Sequence, residues 1–90
     1  MAYYLVHCHV PGITLEQLAS IQRSVQQTSE RFSAGGQPVR LIRSTFVPSE
    51  SHVMYLFEAP RAKLVRDVNE LAQMPFSRIV EALDLGATSE

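Results

Sequence analysis

His7 and His9 lie two residues apart in the run Tyr3-Tyr4-Leu5-Val6-His7-Cys8-His9-Val10, and His52 opens a second run of the same character, His52-Val53-Met54-Tyr55-Leu56-Phe57-Glu58-Ala59. Side chains two apart on a strand project from the same face. Neutral imidazole is a good ligand for nickel, zinc or copper, so three imidazoles on one patch suit a divalent transition metal, a proton relay or a pH-sensitive contact. His7, His9 and His52 are therefore the candidate metal ligands. They also read as polar positions on a solvated or interfacial sheet face, because no fixed metal-site spacing accompanies them. Cys8 tempts a His-Cys-His reading, but alternation sends its thiol to the opposite face, where a free cysteine acts as a small core residue. As a nucleophile it would need a neighbouring base, and the flanking histidines point away. Glu58 is either a further ligand or base on the histidine face or a strand-end acid paired with an arginine.

The elements that must position these groups come from a chain of 90 residues, enough for one core and not for two. We expect a single domain over 1–85 and a flexible tail over 86–90. A composition of 46% apolar residues is that of an ordinary folded domain, and a net charge of −1 from eight basic and nine acidic residues argues against nucleic acid as a partner. The longest uninterrupted apolar stretches are only a few residues, and one cysteine cannot staple the chain to itself. A soluble protein of the cytoplasm, with no membrane partner, is the expectation.

The first strand, from Tyr3, stops at the Pro11-Gly12 turn. Thr14 then caps a helix, with Gln17 at the third helical position reaching back and Glu16 in the first turn. Leu18, Ile21, Val25 and Phe32 form its apolar stripe, and Gly35-Gly36 ends it; without a following lysine and serine or threonine, these glycines are no phosphate loop. Val39 to Val47 reads as a second strand, where Arg40 and Arg43 suit an edge that resists aggregation. Polar Pro48 to Ser51 turns it back onto the third strand, His52 to Ala59. Pro60 suits the first position of a second helix carrying Leu64, Val65, Val68, Leu71 and Ala72 inward, closed by Pro75. A last strand follows from Arg78 to Leu85.

This βαββαβ order predicts a ferredoxin-like α+β sandwich, a four-stranded antiparallel sheet with both helices on one face and the first and third strands in the centre. Tyr4, Val6, Cys8 and Val10 with Val53, Tyr55 and Phe57 make the better inner set. Leu5, His7, His9, His52, Met54, Leu56 and Glu58 are left on the open face. One allowed register sets His9 opposite His52, and a two-residue slip sets His7 there instead. An uncovered apolar face of this kind marks an interaction site, and a homodimer packed sheet to sheet would cover it. The strand-three signature of an RNA-recognition domain is absent.

The runs Val6-His7-Cys8-His9-Val10-Pro11-Gly12-Ile13-Thr14, Glu16-Gln17-Leu18, Leu56-Phe57-Glu58-Ala59-Pro60 and Pro75-Phe76-Ser77-Arg78-Ile79-Val80-Glu81 resemble a bacterial family of small ferredoxin-like proteins, a domain of unknown function. Some members are nickel-binding, nickel-responsive homodimers. The resemblance spans Tyr3 to Leu85 and implies the same fold, with a ligand role for His7. This chain departs from those members at Gln22, where they tend to have histidine, and at Tyr55, where cysteine is common. The leading expectation is a non-catalytic homodimer that binds a divalent transition metal, nickel foremost. The alternatives are a dimeric cofactor-independent monooxygenase or isomerase acting on a small apolar substrate, and a structural interaction module.

Overall fold

The structure is a computed structural model and describes residues 1–83 and 85. Strand β1 (Ala2–His9) leads through the Pro11-Gly12 turn into helix α1 (Leu15–Ala34). Gly12 takes a φ of 77°, a left-handed conformation that favours glycine. At the start of α1, Thr14 Oγ1 accepts from the Gln17 backbone N–H, and Gln17 Oε1 accepts from the Thr14 N–H, both at 3.0 Å. That reciprocal box satisfies two donors that a helix start otherwise leaves orphaned. Strand β2 (Arg40–Val47) turns through a short 3-10 segment, Pro48–Glu50, and left-handed Ser51 into β3 (His52–Ala59).

Helix α2 (Ala62–Leu71) begins one residue after Arg61, its cap, and not at Pro60. It also ends before Pro75, because Gln73 takes a φ of 61° and the Met74 N–H bonds back to the Asn69 carbonyl. The chain then has room to start β4 early, at Phe76–Ala82 in place of the expected Arg78 to Leu85. Leu71, expected on the buried stripe, is 64% exposed, and Asn69 is buried instead with Leu64, Val65 and Val68. The tail expected over 86–90 lies outside the described residues.

The sheet order is β2-β3-β1-β4, with every neighbour antiparallel, so β1 and β3 are central as expected. Its inner face carries Tyr4, Val6, Cys8, Val53, Tyr55 and Phe57, all buried against helices that contribute Leu18, Val25, Leu64, Val65 and Val68. This is the inner set that the alternation predicts. Within it the Tyr55 hydroxyl, Ser44 Oγ and Asn69 Oδ1 are buried without a hydrogen-bond partner among the described residues.

Candidate functional site

The central register places Leu5 opposite Leu56, His7 opposite Met54 and His9 opposite His52. This is the first of the two registers compatible with the sequence. Strand alternation sets these side chains on the face away from the helices, and the outer strands extend each row. Thr45 lies beyond Met54 on β2, and Arg78 lies beyond His7 on β4. Arg78 is the last residue of the regular register that begins at Tyr3 opposite Ala82, and just beyond it β4 carries an extra residue at Ser77, a bulge that shifts the register between His7 and Cys8. The Ser77 hydroxyl closes the bulge by donating to the His7 carbonyl at 2.9 Å. No sequence signal marks such a bulge, which depends on how β4 meets β1.

His7 and His52 meet on the diagonal, not the straight rung. Their Nδ1 and Nε2 atoms are 3.1 Å apart, with ring centroids separated by 5.2 Å and planes tilted by 38°. One nitrogen donates and the other accepts, so the contact holds a single proton between two half-buried rings. His9, directly opposite His52, is exposed at the end of the strand. Among the described residues no three His, Cys, Asp or Glu side chains come together as a set able to hold an ion. The structure thus joins two of the three candidate ligands and leaves His9 at the rim.

The electrostatics favour neutral imidazole at His7. Partial burial, the Arg78 guanidinium and His52 all push its pKa below the ordinary 6.5, with burial the largest effect. A lone pair for a metal is then available without first expelling a proton from a charged ring. The separation also fits a metal. Two metal–nitrogen bonds of about 2.1 Å at roughly a right angle place their nitrogens about 3.0 Å apart. An ion held there would still need donors beyond these two imidazoles.

Neither other reactive group joins the pair. Cys8 is buried on the inner face, and burial pushes its thiol up to about 12, far from a thiolate nucleophile or ligand. Glu58 accepts from Arg40 Nη2 at 2.9 Å across the β2–β3 edge, which is the arginine-paired reading of that acid. Beside the histidines, Leu5, Leu56, Met54, Thr45 and Arg43 line an open groove of about 280 Å³. No helix among the described residues is long and apolar enough to cross a membrane.

A four-stranded antiparallel sheet with two helices on one face and this order of elements defines a ferredoxin-like α+β protein. The chain belongs to the SCO4226-like family, described as nickel responsive protein SCO4226-like, which matches residues 4–82. The crystal structure of SCO4226 from Streptomyces coelicolor A3(2) is similar, with a TM-score of 0.79 over 96% of this chain and 100% of that one. At 23% identity that likeness speaks to the fold alone. Comparison with curated proteins found no match.

Proposed function

We propose that this chain is a non-catalytic cytoplasmic homodimer that binds a divalent transition metal, nickel foremost, through His7 Nδ1 and His52 Nε2. Water or groups of a second subunit complete the coordination, with His9 the nearest further imidazole at the rim. The observation that carries this reading is the 3.1 Å approach of the two ring nitrogens across the central strands. The family description, nickel responsive protein, adds the choice of ion. Binding needs an acceptor lone pair from both rings, so the shared proton leaves or moves to a far ring nitrogen, a step favoured by the depressed His7 pKa. A bound ion supplies a charged cross-link between β1 and β3 at the surface where a partner would dock.

The dimer is supported by the open face itself. Leu5, Met54 and Leu56 are only half-covered there, and Val80 of β4 is 37% exposed beside them. A second copy laid sheet to sheet removes that apolar surface from water. The absence of turnover is supported by the chemistry beside the pair: the Glu58 carboxylate is engaged by Arg40, and the Cys8 thiol is on the other face.

Titration calorimetry with nickel and zinc on the wild type and on His7→Ala tests the reading. Binding by the wild type that is lost or greatly weakened in the variant is the expected result. Equal affinity in the two proteins, or no binding by either, overturns it.

A further inference from the structure

The histidine pair has one more potential donor beside it. Met54 stands directly across from His7 and two residues from His52, on the same face as both, with its side chain half-buried. We propose that this face takes up Cu(I), with His7 Nδ1, His52 Nε2 and the Met54 thioether as its three ligands. The proposal rests on the same pair as the nickel reading and assigns that site a metal preference of its own.

Three features of the site point the same way. Its donor set is two imidazoles and a thioether, and thioether sulfur selects Cu(I), whereas carboxylate and water suit harder ions. Hard donors are scarce here, because Glu58 is held by Arg40 and among the described residues no third His, Cys, Asp or Glu gathers with the pair. The local charge is also positive. Arg78 occupies the row of His7 on the strand opposite Met54, and a fixed cation repels a doubly charged ion about twice as strongly as a singly charged one at the same distance. Finally, Leu5 and Leu56 form the next rung, and they flank the site with apolar surface that suits a weakly hydrated monocation.

The test is a competition under anaerobic, reducing conditions. The wild type, Met54→Leu and the double variant His7→Ala/His52→Ala are each titrated against the Cu(I)–bicinchoninate complex, and Ni(II) binding is measured calorimetrically on the same proteins. Leucine is close to methionine in volume, so the fold tolerates the exchange. The wild type is expected to withdraw Cu(I) from the chelator. Met54→Leu is expected to hold it roughly 10- to 100-fold more weakly, at least the effect of losing an outer-shell partner, while its Ni(II) affinity stays unchanged. The double variant is expected to lose both metals. X-ray absorption of the Cu(I)-loaded wild type reads the bond directly: a sulfur scatterer that persists in Cys8→Ala and disappears in Met54→Leu identifies Met54. Equal Cu(I) retention by wild type and Met54→Leu, or a copper shell without sulfur, overturns the proposal. If the wild type binds Ni(II) but withdraws no Cu(I), this proposal falls and the nickel reading stands. If Cu(I) binds through Met54 and Ni(II) does not bind, the outcome is the reverse.

Discussion

Between pH 7 and pH 10 the wild type should lose about 1.4 kcal/mol more stability than Cys8→Ala, because its thiol stays protonated when folded. Burial pushes the folded thiol from 9.0 to about 12, whereas the unfolded thiol titrates near its ordinary value. A raised folded pKa means that the folded state holds its proton longer. The stabilisation is therefore complete below the unfolded pKa and is lost as pH rises from there toward the folded one. At pH 10 an unfolded thiol one unit above its pKa gains RT ln(1 + 10), about 1.4 kcal/mol, while the folded thiol gains almost nothing. Tyr55, raised from 10.0 to about 12 by its own burial and then by Cys8, adds a smaller loss in the same direction. The part of that loss that comes from burial, the larger cause, and the titration of surface groups are common to both proteins and cancel to first order in the comparison. Urea denaturation with a phosphine reductant at the two pH values gives the four free energies required. Equal pH dependence in the two proteins refutes the reasoning. The thiol would then ionise freely in the folded state, and its burial in the core would have to be reconsidered.

Removing the unpartnered Tyr55 hydroxyl with Tyr55→Phe should be neutral or stabilise the fold by about 1 kcal/mol, since a buried hydroxyl without a partner costs about that much or more. A clear loss in urea denaturation would show that the hydroxyl is hydrogen-bonded. Thr14→Ala removes half of the α1 capping box and should cost about 1 kcal/mol, read as a lower denaturation midpoint with an unchanged slope; an unchanged midpoint would mean that the box contributes nothing. Arg78→Gln should raise the His7 pKa toward its ordinary value, because the guanidinium is one of the effects that lower it. Proton NMR titration of the imidazole measures this, and a pKa that stays put or falls would remove Arg78 from the account of the site.

The strands were legible wherever a two-residue alternation met a one-sided core. Tyr4, Val6 and Cys8 against Val53, Tyr55 and Phe57 could point inward in only one way, and that choice put His7, His9, His52 and Met54 on the open face together. The α1 start was equally legible, because Thr14 and Gln17 make their contacts within one turn. Element ends set by tertiary context were not. Pro75 reads as the stop of α2, but the helix ends at Leu71 through the left-handed turn at Gln73, a conformation that no residue type there announces. The Ser77 bulge next to Arg78 depends on how β4 meets β1. Which imidazoles touch is a matter of rotamer and sheet twist, so the sequence offers the straight His9–His52 rung only as one of two registers and does not show the diagonal His7–His52 contact.

Crystals of the protein grown with nickel, with anomalous diffraction recorded on both sides of the nickel absorption edge, address the central claim most directly. The account predicts an anomalous peak about 2.1 Å from both His7 Nδ1 and His52 Nε2, on the open face of the sheet. A peak bound elsewhere, with the two ring nitrogens still in direct contact, would contradict it.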